Sequence, residues 1–525
     1  MKKIIALLLA LSLVCSLLTG CAREEEEAYV PTGNALVMEG EEPNDFLVKE
    51  EEDQEFSLAY YPDRSLNPLV GYNQTNRVLF SLMYQSLFSV DINNNPTPIL
   101  CSEYQVSPSN MTWTFYVEKT ACFSDGSPLT AADVVATYAA ARESDYYKGR
   151  FTYIDSVSLA SDGGVTFALT TPYQNLPLIL DIPIVKAGTE NIDVPIGSGP
   201  YVYGDGISGA ILHRNTNWWV DEEIHVTADT ITLVEVADDS QARDEFQFGD
   251  VAVVCANPMS DTYADFRSDF ELWDVDSGVF LYLGCNVLYS DFFEDGFLRT
   301  VLTYAIDRQT INQKNYRGHG WPATLHASPL SPYYSESLAA NYGYDPMKFI
   351  DQVASWPIPR DKDGQQKTLR LLVNSDDSAR LRTARDIANA LTDFGIPTET
   401  LEYPSVTYQA VLQASNYDIY LGQTRLSANY DLSEFFRLWG NLSWGGIPNE
   451  DILKLCKECL ADSGNYYNLH KLLAEDGRVV PILFGSYAMY STRGMFDGFE
   501  PARDNAFFYS LGKTMESTKI DTVYN

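Results

Sequence analysis

The sequence predicts an α/β protein built from more than one domain, and three observations carry that prediction. The chain has 525 residues, too many for one ordinary hydrophobic core, so about two to four domains are expected. Hydrophobic residues make up 45% and aromatic residues 13% of it, enough to fill large cores and too much for general disorder. Between residues 368 and 421, segments of period-two and helical spacing alternate. That is the pattern of a mostly parallel sheet with both faces covered.

The first elements do not belong to the fold. Lys2-Lys3 precedes an apolar run from Ile4 to Leu18, a secretory signal that is too short and wrongly flanked for a membrane span. Leu18-Thr-Gly-Cys21 resembles a bacterial lipobox. The resemblance implies a signal peptide over 1–20, cleaved before Cys21, and a diacylglycerol on the Cys21 thiol that anchors the chain to the membrane. A plain secretory signal with an incidental cysteine is the alternative. From Ala22 to Glu55 thirteen acidic residues face two basic ones, so 21–55 reads as an acidic, disordered tether.

The folded region begins near Phe56, whose stretch to Tyr61 is strand-like, and Asn76 to Leu87 has helical spacing. In Thr112–Val117, Trp113, Phe115 and Val117 alternate with threonine and tyrosine, as in a half-buried strand. Asp125-Gly126 marks a turn. Thr130 precedes a helical run, with Asp133 placed to reach back as in a capping box. Thr152 to Leu169 holds two alternating runs around Asp162-Gly-Gly164, a hairpin. Gly204-Asp-Gly-Ile-Ser-Gly209 spells GxGxxG, but a returning strand follows instead of the helix that would meet a pyrophosphate, so it reads as a hairpin loop. Leu298 to Ile306 forms one helical face, and Asp307 caps the next short helix. The 368–421 block then reads as a strand (Leu369, Leu371, Val373), a helix capped by Ser378 and closed by Gly395, a strand over 396–403, a helix over 406–414 and a strand from Tyr417 to Leu421. Ligands of such sheets lie beyond the carboxyl ends of the strands, which places a site in the loop after Leu421.

Several stretches match one family in order. Phe123-Ser-Asp-Gly-Ser-Pro-Leu-Thr-Ala-Ala-Asp-Val-Val135, Pro195-Ile-Gly-Ser-Gly-Pro-Tyr201, Arg214-Asn215 with Trp218-Trp219, Leu281 to Asn286, Leu298 to Arg308 and Val479 to Phe484 together resemble the family 5 extracellular solute-binding proteins. These are receptors of ABC importers for oligopeptides, dipeptides and nickel. The resemblance implies a two-lobed periplasmic-binding-protein type II fold with an extra inserted domain and the ligand in the interlobe cleft. Lobe I would hold 56–275 plus 479–525, with the insertion at about 71–190. Lobe II, Rossmann-like, would hold 276–478. The lobes would close on the ligand by a hinge motion.

In peptide-binding members an acidic residue in the loop after the Tyr417–Leu421 strand pairs with the peptide's ammonium. Here Asn429 occupies that position, Leu426 stands for a tryptophan and Leu432 for a proline. An amide accepts a hydrogen bond but supplies no charge. Asp431, two positions on, is a substitute, and Arg425 adds a cation that favours an anionic group. Tyr430 belongs to the same loop. Tyr72, Asn73 and Gln74 precede the first helix, where family members touch ligand, and Trp439 offers a further ring. These eight residues form the expected ligand site. Loop solvation and structural hydrogen bonding are the competing roles for each.

The charge of −36 repels phosphate backbones, so nucleic acid is excluded as a partner. The five histidines, 213, 225, 319, 326 and 470, lack metal-ligand spacing, and no HExxH or GxSxG occurs. No cofactor, metal or catalytic residue is expected. Cys101, Cys122, Cys255, Cys285, Cys456 and Cys459 allow fifteen disulfide pairings, and Cys456 and Cys459 read as core thiols of one helix. The expected protein is a monomeric, lipid-anchored receptor on the extracytoplasmic face, binding a peptide or other small molecule and meeting the permease of an importer. The alternatives are a same-fold receptor for an oligosaccharide or metal chelate, a signalling or adhesion lipoprotein, and a secreted hydrolase.

Overall fold

The computed structural model describes residues 56–71, 73–207, 209–220, 228–260, 266, 270–493, 500–507 and 523–524. The chain divides into two units, Met1–Gln54 and Glu55–Asn525, and every described residue belongs to the second. The signal peptide, Cys21, the tether and Tyr72 therefore lie outside the described residues.

The Thr112–Tyr138 stretch folds as its pattern predicts. The strand Thr112–Val117 buries Trp113 and Phe115 and lies antiparallel between Cys101–Val106 and Val165–Leu169. Gly126 takes a φ of +79° in the turn, a conformation open to glycine at no steric cost. Helix Ala131–Glu143 follows. Asp133 Oδ2 accepts from the Thr130 N–H at 2.8 Å and from the Thr130 hydroxyl at 2.7 Å. On the helix's buried face Tyr138 meets Phe167 edge to face at 5.0 Å, and the ring pair locks helix to sheet.

The site is positioned by a second, eleven-stranded sheet. At one end Ser57–Tyr60 runs parallel to Thr230–Glu235 and Val253–Ala256. At the other, Leu369–Asn374 runs parallel to Thr398–Tyr403 and Ile419–Arg425. Leu369, Leu371 and Val373 enter one core, whereas Leu372 and Tyr420 enter another on the opposite face, so this part is buried on both sides as a parallel sheet requires. Two long antiparallel strands, Phe270–Cys285 and Val479–Thr492, join the ends. Val253–Ala256 pairs with the late half of Val479–Thr492, and Ile419–Arg425 with the late half of Phe270–Cys285. Their mutual register breaks between Asp276 and Phe280. There Gly278 adopts φ +70°, and a Cβ on it would sit 2.7 Å from the Leu426 carbonyl oxygen.

Local boundaries differ from the sequence reading where side chains outside the element intervene. The first helix is Gln74–Met83, capped by Asn73. It stops at Tyr84 because that hydroxyl is fixed to the carbonyls of Leu66 and Pro195 at 3.0 and 3.2 Å. Asp377, not Ser378, caps helix Ser378–Asp393, accepting from Arg380 N–H at 2.9 Å. The Gly204–Gly209 stretch is a hairpin, with Gly206 opposite Gly209. The six cysteines from Cys101 to Cys459 are free thiols. The strand expected over 417–421 begins at Ile419 and runs on to Arg425, so Arg425 is the strand's last residue and not part of the loop.

Candidate ligand-binding cleft

Two cavities open at the junction of the two strand sets. The larger, about 670 Å³, lies beyond the carboxyl ends of Ser57–Tyr60, Val253–Ala256 and Ile419–Arg425, and takes Asn73, Gln74, Asn257, Ser277, Gln423 and Arg425 into its lining. Strand ends are where such sheets offer ligand space. The smaller, about 280 Å³, is walled by Arg150, Tyr153, Tyr173, Asn429, Asp431 and Glu434. Tyr146 and Arg425 line both and form the wall between them.

The structure brings five of the expected site residues to these cavities. Asn73 also caps its helix, accepting from Asn76 N–H at 3.1 Å. Asn429 is buried. Its side-chain amide donates to the Tyr173 hydroxyl, and its backbone carbonyl accepts from the Tyr466 hydroxyl. The position expected to carry an acid thus holds an amide fixed by Tyr173, with its backbone held by Tyr466. Tyr430 and Trp439 line neither cavity. The Tyr430 hydroxyl donates to Asp276 at 3.0 Å and accepts from Arg503 at 3.2 Å, with its ring in the core. Trp439 is 89% exposed.

Asp431 differs from every other charged group of the smaller cavity. Asp145 pairs with Lys148 at 2.5 Å, and Glu434 with Arg437 at 2.5 Å. Arg150 meets Asp181 and Asp504, and Arg425 meets Asp504. Asp431 Oδ1 accepts from the Ser433 N–H at 3.0 Å and hydroxyl at 2.6 Å, but no cation pairs with it among the described residues. Burial pushes its carboxyl up to about 6, against the pull of the Ser433 bonds. A carboxylate without an ion-pair partner in a tyrosine-lined cavity favours an ammonium or other cationic group.

Arg425 is not a free cation. Its Nη2 donates to both Asp504 oxygens at 3.0 and 2.8 Å, and its Nε to the Ser277 carbonyl at 2.8 Å. Its guanidinium lies 4.7 Å from the centroid of the Tyr146 ring. Sequence reasoning missed Asp504, Arg77, Arg150, Tyr146 and Tyr173. Arg77 alone carried a signal, as a charged residue within the otherwise uncharged helix Gln74–Met83.

Comparison with known proteins points the same way. The family model for bacterial extracellular solute-binding proteins, family 5 Middle, matches residues 95–446. The oligopeptide-binding protein AppA of Bacillus subtilis (strain 168) is 24% identical over 449 residues, spanning 78% of this chain and 82% of that one. The substrate-binding protein CtaP of Listeria monocytogenes superposes with a TM-score of 0.70 at 19% identity, covering 87% of this chain and 98% of that one. The crystal structure of B. subtilis AppA in complex with a nonapeptide gives 0.62 at 22% identity, covering 87% and 98%. These likenesses fix the fold as the two-lobed periplasmic-binding-protein type II architecture. The relatives are binding proteins and not enzymes. With two cavities set at the strand ends of that fold, and a family match across most of its length, the chain belongs to the family 5 bacterial extracellular solute-binding proteins, the substrate-binding components of ABC importers.

Proposed function

We propose that this protein captures peptides for an ABC importer, as a monomer held to the outer face of the bacterial cell membrane by a lipid on Cys21. The ligand's ammonium meets Asp431 in the smaller cavity, and its remaining length extends past the Arg425–Tyr146 wall toward Asn73 and Gln74. The observation that carries this reading is Asp431, the one carboxylate without an ion-pair partner among the described residues lining the smaller cavity, just beyond the Ile419–Arg425 strand. Lobe I (56–275 and 479–525, with the insertion at 71–190) and lobe II (276–478) close about the strands Phe270–Cys285 and Val479–Thr492. The ligand drives closure only through its greater affinity for the closed form, which the permease then recognises.

One observation favours a second reading, a same-fold receptor for a non-peptide solute. The family's acidic position is Asn429, and that amide is fixed by Tyr173. Mass spectrometry of small molecules released from the purified protein, followed by thermal-shift titration, separates the two. Peptides with a free amino terminus are expected to stabilise the protein, and their N-acetylated forms are not. Stabilisation by oligosaccharides or metal chelates, with none by peptides, overturns the peptide reading. For the anchor, Cys21→Ser is expected to move the protein from the membrane fraction to the soluble fraction. Retention in the membrane fraction refutes it.

A further inference from the structure

A carboxylate sits where three guanidiniums converge from distant parts of the chain. Asp504 has a side chain only 7% exposed. Its Oδ1 accepts from Arg77 Nη2 at 3.3 Å, the Tyr146 hydroxyl at 3.1 Å and Arg425 Nη2 at 3.0 Å. Its Oδ2 takes Arg425 Nη2 at 2.8 Å, with Arg150 Nη2 at 3.5 Å. The guanidinium of Arg77 also packs on the Tyr146 ring, 3.9 Å from its centroid. Burial alone would raise the Asp504 carboxyl, but Arg425, Arg77 and Arg150 outweigh it and hold the group far below the usual carboxylate range. Asp181 is the second acid of the cluster, on Arg150. Three cations therefore face two anions, and the excess of one positive charge borders the cavity that holds Asp431. Arg150 and Arg425 both line that cavity. Arg77, Asp181 and Asp504 line a small pocket of about 30 Å³.

We propose that Asp504 is a specificity-determining residue of this receptor: a carboxylate built into the chain that fills the anion seat made by Arg77, Arg150 and Arg425, and so withholds that seat from the acid group of a solute. Guanidinium forks bind carboxylates strongly wherever water is excluded. Without Asp504 the seat carries a second unmatched positive charge and takes up a small carboxylate from solution. With it, the wall shows Arg425 to the cleft with its charge already engaged. The inference stands apart from the peptide reading, because it concerns the seat and not the ligand.

Asp504→Ala deletes one carboxyl group, the volume that formate restores. Thermal denaturation of the full chain with sodium formate, against sodium chloride at equal ionic strength, tests the proposal. The variant is expected to melt several degrees below the wild type and to regain part of that loss saturably with formate, and not with chloride. The wild type is expected to respond equally to both salts. If Asp504→Ala does not fold, Asp504→Asn decides, since it keeps the shape and removes the charge. It is expected to be stabilised by formate over chloride through the face of Arg425 that lines the cavities. A folded Asp504→Ala that formate leaves unchanged, an Asp504→Asn indifferent to formate when the alanine variant is unfolded, or a wild type that formate stabilises over chloride overturns the proposal.

Discussion

Replacing Asp431 by asparagine should make the protein more stable at neutral pH and, on the function proposed here, worse at binding. Its carboxyl rises from an ordinary 3.8 to about 6 through burial, offset in part by Ser433. At about 1.4 kcal/mol per unit, the ionised group costs the folded state about 3 kcal/mol. The sign follows from proton binding. Below 3.8 the carboxyl is protonated in both folded and unfolded chains and costs nothing. Between 3.8 and 6 the folded chain holds the proton more tightly, so the penalty grows as pH rises, and above 6 it is complete. Asparagine keeps an oxygen for the two Ser433 bonds and cannot ionise. At about 2.1 cal/mol/K for each of roughly 430 described residues, 3 kcal/mol corresponds to about 3 °C in Tm. Melting curves of wild type and Asp431→Asn from pH 4 to pH 8 are the assay. The two should coincide near pH 4 and separate by about 3 °C at pH 7.5, the variant higher, while peptide binding is lost. A Tm difference that does not change with pH, or a variant that melts lower at pH 7.5, refutes the reasoning.

Two further outcomes are expected. His326 and His470 are fully buried, with ring centroids 6.5 Å apart. Burial pushes His326 down to about 4, and burial together with the His326 charge pushes His470 down to about 3. Both depressed groups leave the folded state whole above 6.5 and weaken it as pH falls from 6.5 toward 4, because the unfolded chain takes up the protons. His470→Phe should therefore remove about 2 kcal/mol of the stability lost between pH 7.5 and pH 5, read from urea midpoints at the two pH values. Equal acid losses in variant and wild type contradict this. Gly278→Ala should cost roughly 2 kcal/mol or more, because its φ is +70° and the new Cβ meets the Leu426 oxygen. An unchanged urea midpoint shows that the strand junction accommodates the methyl group.

What is local is legible in the sequence. The strand, turn and helix of Thr112–Tyr138 are written in alternation, an Asp-Gly pair and a Thr-x-x-Asp spacing, each complete within a few residues. The parallel block from Leu369 to Arg425 is equally readable, although its last strand runs four residues past the apolar run that marks it. The site is legible only in part. That Arg425 and Asp431 lie near the end of a strand follows from order along the chain. That one is matched and the other is not depends on Asp504, 79 positions after Arg425 in a stretch without periodicity. It depends also on the burial of Asp431 in a cavity that Tyr153 and Tyr173 line from another part of the fold. Tyr430 shows the same limit. An aromatic residue between two polar ones suits a cleft, yet a φ of +50° accompanies its turn toward Asp276 and the core.

The seat of Asp504 also sets the order in which the molecule can become itself during synthesis. Arg77 and Arg150 emerge early and Arg425 late, but the carboxylate that reconciles them is made later still, after the strand Val479–Thr492 that borders both Val253–Ala256 and Phe270–Cys285. A chain cut short before residue 500 has a middle with unmatched charge, and one cut before 479 lacks the strand that joins its parts. Pairings across such separations slow folding. The charges of Arg77, Arg150 and Arg425 are therefore matched only once the residues after the strand Val479–Thr492 are in place.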